Sequence, residues 1–421
     1  MGIETVISDD RILMVQTHIL SNGLRVIHRS FPSEISYCGI AVNTGTRDEF
    51  PAEQGMAHFV EHMLFKGTEK RRAHHVVNRM ENVGGELNAY TAKEETFVYA
   101  TFPGEYLLRA VELLSDITFH SQFSDQQIER EREVIIDEIL SYDDSPSELI
   151  YDDFENMVFT GHDLGHYILG DAETLQSFNT ENMKRFVARQ YRPDNMVFFS
   201  FGKAPFSKVV RLAEKYFSFA SNPLNGALPV KPRISPEIVV PGKKEMQKDT
   251  SQSHVVMGWR TFNMHHPKRY VLYMINHILG GGSQNSRLNV SLREKHGLVY
   301  HVESNLTLYS DTGLFTIYFA SDPKFREKCL RLVGKEIEKA IQTELTPTQL
   351  MRIKRQWKGQ MGIAAENHEN NALGMGKTFL HFDHYVPLQD LSIYIDRITS
   401  REIREVAEEI FSTPPFELSY L

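Results

Sequence analysis

Apolar and polar residues alternate through QTHILSNGLRVIHR, which has Asn22-Gly23 near its centre, and the alternation resumes in SYCGIAV from Ser36. A period of two marks half-buried strands, and Asn-Gly is a favoured tight turn. Residues 16–46 therefore predict a hairpin running into a further strand. SHVVMGWRT at 253–261 predicts a strand in the same place of a second half. Each half continues with a polar loop and then helical periodicity, GMAHFVEHMLFKGT from Gly55 and YVLYMINHILGGGS from Tyr270. FSDQQIEREREVIIDEI from Phe123 predicts a helix over 124–141, capped by Ser124 or Asp125, and LTPTQLMRIKRQWKGQM from Leu345 opens the same way. Each half closes with a polar helix (ENMKRFVARQY; REIREVAEEIF) and a short strand (NMVFFSFG; FELSYL).

Between the halves, NPLNGALPVKPRISPEIVVP carries Pro223, Pro229, Pro232, Pro236 and Pro241, a density that no helix or inner strand tolerates. The pattern predicts a domain over 1–220, a linker over 221–241 and a homologous domain over 242–421. The fold class is α+β: two α/β-roll domains from an internal duplication, each an antiparallel sheet packed with helices.

Composition narrows the function classes. The chain has 421 residues, of which 41% are hydrophobic and 24% charged, which excludes bulk disorder. With 46 Lys and Arg against 55 Asp and Glu the net charge is −9, unlike a nucleic-acid binder with its basic face. The two cysteines, Cys38 and Cys329, are far apart and lie outside any charged motif, so they read as small buried hydrophobes. The N-terminus, MGIETVISDDRILMVQTHIL, lacks the basic start and apolar core of a signal peptide, and no run approaches the ~18 apolar residues of a membrane span. A cytoplasmic protein with no membrane partner is the expectation.

The candidate chemistry lies in His58-Phe59-Val60-Glu61-His62. Residues four apart on a helix stand one above the other, so His58 and His62 can offer two imidazoles to one metal. Glu61 lies beside them, where a carboxylate can deprotonate water whose pKa a metal has lowered from about 15.7 towards 7. Taken alone, the pair is equally an amphipathic helix that includes two histidines. A third ligand is available on the 124–141 helix, where Glu131 and Glu138 are seven apart and share a stripe. Val134, Ile135 and Ile139 flank Glu138, and a carboxylate beside an apolar face needs a partner or a metal. Glu131 suits a hydrogen bond to a ligand histidine, although both glutamates also fit the solvated face of a very acidic helix.

The order H-x-x-E-H is the inverted form of a zinc-peptidase signature. Together with GGELNAYTAKEETFVYA, FSDQQIEREREVIIDEI and SRLNVSLREKHGLVYHV, it resembles the pitrilysin/insulinase family of inverted-zinc peptidases. The nearest resemblance is to two-domain subunits of the mitochondrial processing peptidase type and their bacterial relatives, and it covers essentially the whole chain. It implies a zinc endopeptidase with Zn2+ on His58, His62 and Glu138, Glu61 as general base and Glu131 behind the ligands. It also implies Asn88 and Ala89 as contacts for an extended peptide substrate; without it, GGELNAYT reads as an ordinary hairpin. It assigns Arg293 and Tyr300 to the carbonyl oxygen, where otherwise Arg293 is a surface charge. In a two-domain chain that pair would act in trans, from the other subunit of a homodimer. The same fold also serves non-catalytic assembly subunits, which lack parts of the motif, and processing peptidases for basic targeting sequences.

The repeat supplies an internal comparison. The positions of His58, Glu61, His62 and Glu138 become Tyr273, Asn276, His277 and Gln360 in the second half, so one metal site per chain is expected.

Overall fold

The structure is a computed structural model that describes residues 15–219, 229–237 and 239–421. Residues 1–14 of the N-terminal segment, and the linker around Pro223, lie outside the described residues. Two compact units are drawn from the described parts of the chain, and neither is contiguous in sequence. The first takes Met1–Ile139, His166–Arg233 and Asn367–Tyr385, and the second takes Leu140–Gly165, Ile234–Glu366 and Val386–Leu421.

In the first unit, β1 (Val15–Ile19), β2 (Arg25–Ser30), β3 (Ile35–Val42), β4 (Glu86–Thr91), β5 (Thr96–Pro103) and β6 (Met196–Gly202) form one sheet of order β1-β2-β6-β3-β5-β4. The predicted hairpin is β1–β2; Gly23 takes φ +91° at its turn, where a side chain would be strained. All pairs are antiparallel except β2 with β6. That parallel pair departs from a sheet of sequential antiparallel neighbours, because the last strand of the half returns between the second and third.

The period-two pattern decides which side chains face which layer. Val26, Ile40, Val98, Ala100 and Phe198 point to one side and pack against helices of the same half, including Met56–Met63 and Asp125–Asp143. Ile27, Ala41, Phe97, Val197 and Phe199 point to the other side, and there they meet Ala372, Met375, Phe379 and Leu380 of the helix His368–Phe382. The first sheet is thus roofed by a helix from the second half of the sequence. The approach is close: a Cβ on Gly376 would lie 2.8 Å from the Phe199 ring.

The second unit repeats the arrangement with β7 (Lys243–Met246), β8 (Ser253–Thr261), β9 (Val299–Leu308), β10 (Gly313–Ser321) and β11 (Phe416–Tyr420), ordered β7-β11-β8-β10-β9. Its one parallel pair is β7 with β11. One face packs Val255, Met257 and Phe315 against the helices of its own half. The other face packs Val256, Leu314 and Leu418 against Ile150, Phe154 and Val158 of the helix Pro146–Val158, which comes from the first half. Hydrogen bonds from Tyr151 to Glu303 (2.6 Å) and from Tyr420 to Asp153 (2.7 Å) hold that helix down. Both cysteines are buried and free. Among the described residues no helix is long and apolar enough to cross a membrane.

Candidate metal centre

The helix Met56–Met63 buries Met56, Phe59, Val60 and Met63 in the core of the first unit, which turns His58, Glu61 and His62 to its other side. Its start is held by a side chain from outside the helix. The Glu49 carboxylate accepts the backbone N–H groups of Gly55 (2.9 Å) and Ala57 (2.7 Å). Full burial pushes the Glu49 carboxyl well above its ordinary value, and those two backbone donors oppose the shift. Gly55 itself has φ +91°, and a Cβ there would lie 2.8 Å from the Leu169 carbonyl oxygen.

The partner helix, Asp125–Asp143, is anchored by buried Ile128 and Ile135 and by Arg132, which donates to the carbonyls of Leu175 (3.0 Å) and Phe178 (2.9 Å). Val134 is half exposed, so the inward stripe runs through Ile128, Glu131, Ile135 and Glu138 rather than through all the apolar neighbours of Glu138. Along this stripe the two glutamates arrive at the histidines. Glu138 Oε2 lies 3.8 Å from His58 Nε2 and 3.5 Å from His62 Nε2. One ligand atom from each of the three residues falls within 4.8 Å of the others, the one such group among the described residues.

These separations suit one small cation. Four donors about 2.0–2.1 Å from a tetrahedral zinc stand about 3.4 Å apart. Glu131 Oε1 is 2.9 Å from His62 Nδ1, so that nitrogen donates to the carboxylate and Nε2 is left able to bind a metal. The second oxygen of Glu131 pairs with Lys66 Nζ at 2.6 Å. Burial and then the neighbouring His62 hold the His58 imidazole down to about 3, so it is neutral and able to bind a metal. Burial also pulls on His62, but the Glu131 hydrogen bond and the charges of Glu131, Glu61 and Glu138 outweigh it and raise its pKa. For Glu131, burial is outweighed by His62 and Lys66, and the carboxyl falls below its ordinary value.

Glu61 stands outside the donor set. Its Oε2 accepts a 2.6 Å hydrogen bond from the Thr91 hydroxyl, on the last residue of β4. Burial raises its pKa, which the Thr91 bond and His62 oppose. Asn88 and Ala89 also lie on β4, which pairs with β5 alone within its sheet. Ala89 packs against the same core as the metal helix, whereas Asn88 is exposed and its side chain points to the opposite face, beside Tyr99. Arg293 and Tyr300 belong to the second unit. Arg293 pairs with the adjacent Glu294 at 3.2 Å, and Tyr300 is 89% exposed.

In the second unit the positions of Glu61 and Glu138 carry neutral amides. Asn276, at the position of Glu61, accepts a 2.6 Å hydrogen bond at Oδ1 from Ser304 of β9, and Gln360 donates to Ser283 at 2.7 Å. His277 stacks on Trp357 instead of joining a donor set. Three contributors escape the sequence reading: Lys66, Thr91 and Glu49. The acid six residues before Gly55 is the one with a sequence signal, since a carboxylate just upstream of a helix suits its N-terminus.

Two imidazoles and a carboxylate beside an open sheet edge define a candidate metallohydrolase centre. Residues 25–172 match the insulinase family, peptidase family M16, and residues 177–357 match the peptidase M16 inactive domain. A zinc protease of Rickettsia felis, described as uncharacterized, is 32% identical over 94% of this chain and 94% of its own. An uncharacterized zinc protease of Mycobacterium tuberculosis is 31% identical over 93% of this chain and 90% of its own, and YmxG of Bacillus subtilis, also termed an uncharacterized zinc protease, is 29% identical over 95% and 96%. The chain belongs to peptidase family M16, the pitrilysin/insulinase family. The same fold occurs in a protease from Helicobacter pylori, with TM-score 0.88 at 22% identity over 97% of this chain and 99% of that one. A putative M16-like peptidase from Alicyclobacillus acidocaldarius has TM-score 0.85 at 18% identity over 99% and 100%.

Proposed function

We propose that this chain is a zinc endopeptidase that cuts peptides or unstructured protein segments. The convergence of His58, His62 and Glu138, with Glu131 fixing the His62 ring, is the observation that carries this reading. When bound, zinc supplies a Lewis acid for the scissile carbonyl and brings the pKa of water from about 15.7 towards 7. Glu61 takes the proton from the attacking water and passes it to the leaving amine, and burial raises its pKa towards the range such a shuttle needs. The substrate adds to the open edge of β4 as an extra strand, through main-chain hydrogen bonds that do not depend on its sequence. Because the Ala89 side chain is packed and that of Asn88 faces away, both residues meet the substrate through their backbone.

Arg293 and Tyr300 steady the developing oxyanion, reaching the site from the second copy of a homodimer. Their exposure leaves them available for that role. The −9 charge suits basic substrates, which would make targeting-sequence processing a narrower form of the same activity.

Hydrolysis of an unstructured peptide, with and without a chelator, by the wild type and Glu61→Gln tests the reading. Turnover confined to the metal-loaded wild type supports it. No turnover by the wild type, or equal turnover in every condition, overturns it and leaves a non-catalytic assembly subunit.

A further inference from the structure

Thr91, the last residue of the open edge strand, sets its hydroxyl against Glu61. Its hydroxyl donates to Oε2 over 2.6 Å, which fixes one carboxylate oxygen and leaves the other to meet water. Both ends of this bond are clamped by the loop over 45–49. Thr46 N–H donates to the Ala92 carbonyl (3.2 Å) and Arg47 N–H to the Lys93 carbonyl (2.9 Å), which tie down the turn that follows Thr91. The Arg47 guanidinium pairs with Glu94 at 2.6 Å, with both side chains buried. Two residues on from Arg47, Glu49 caps the helix that carries Glu61. The strand end and the base are therefore registered against each other before any substrate arrives.

We infer that Thr91 is a positioning residue: it orients the Glu61 carboxylate towards the water and links that orientation to the strand that receives the peptide. The inference rests on the hydrolase reading above. A water proton must leave along one lone-pair direction, and a carboxylate free to rotate spends most of its time elsewhere; misplacement by about 1 Å can cost on the order of a hundredfold in rate. The bond also docks helix to strand, as the Ser304–Asn276 bond does in the second unit, where the helix position of Glu61 carries no carboxylate. The test must separate docking from orientation.

Thr91→Val removes the donor at nearly constant shape, and Thr91→Ser restores it. With zinc-loaded protein and an unstructured peptide, Thr91→Val is expected to lower kcat by at least about tenfold at unchanged KM. Thr91→Ser should stay within about twofold of the wild type, and zinc affinity by chelator competition and melting temperature should match across all three proteins. A Thr91→Val kcat equal to that of a chelator-sensitive wild type overturns the inference and leaves the hydrolase reading standing. So does a kcat loss that tracks a loss of zinc affinity or melting temperature and is not rescued by serine, because that marks a docking role alone. A wild type with no chelator-sensitive turnover overturns the hydrolase reading itself, and the inference falls with it.

Discussion

Glu131 Oε1 lies 2.9 Å from Nδ1 of His62, and Lys66 holds the other oxygen of the same carboxylate. The histidine is thus oriented by a charged group that never reaches the metal position. Glu131→Gln keeps the shape but replaces a charged acceptor with a neutral amide. It is expected to weaken zinc binding about 10–100-fold. Competition with a chromophoric chelator measures this, and an unchanged affinity would contradict the role.

Removing a direct ligand should cost more. His58→Ala and Glu138→Gln are each expected to weaken zinc binding by more than about 100-fold, beyond what an outer partner contributes. Both should abolish hydrolysis. Glu61→Gln should separate the two properties, retaining metal while turnover falls by about 10²–10⁴. Metal content after dialysis, read beside activity, distinguishes the three.

Tyr300 is expected to matter only to the rate. Tyr300→Phe should lower kcat by about a hundredfold, the loss typical of one oxyanion donor, and leave zinc content alone. If the tyrosine acts across a dimer, mixing inactive His62→Ala chains with Tyr300→Phe chains should restore measurable turnover, because one mixed site keeps both halves. No rescue after verified subunit exchange would contradict the trans arrangement.

A pH dependence of stability follows from His28, far in sequence from His58, His62 and Glu138. Burial takes its pKa down to about 4, although its Nε2 lies 2.9 Å from the Ala204 carbonyl oxygen. The unfolded chain has the ordinary value of about 6.5. Above pH 6.5 both states are neutral and the contribution is full. Between 6.5 and 4 the unfolded chain takes a proton that the native state refuses, so stability falls, by roughly 3 kcal/mol in total. His28→Gln should remove that part of the acid sensitivity, read as the difference in urea midpoint between pH 7 and 4.5 with chelator present.

Legibility in the sequence divides by how local the determinants are. The Asn22-Gly23 hairpin, the H-x-x-E-H helix and the glutamates seven apart depend on turn chemistry and helical periodicity, and each stands where its pattern says. The parallel insertion of β6 beside β2 could not be read, because alternation fixes which face a residue takes but not which strand lies alongside. The apolar faces of Pro146–Val158 and His368–Phe382 declare that each helix is covered, and carry no mark of which sheet covers it. Lys66 and Thr91 escaped for a related reason. A lysine after a helix and a threonine ending a strand are chemically ordinary until Glu131 and Glu61 are seen against them.

The exchange of roof helices constrains how this chain can be made or shortened. A fragment ending at the proline-rich stretch would carry Phe97, Phe199 and Phe201 with no cover and Ile150, Phe154 and Val158 with no sheet to sit on. Such a piece exposes two aromatic-rich surfaces at once, a recipe for self-association. Separately expressed halves should therefore recover native behaviour only when refolded together. On the ribosome, the first unit must await residue 385 before its own sheet is closed.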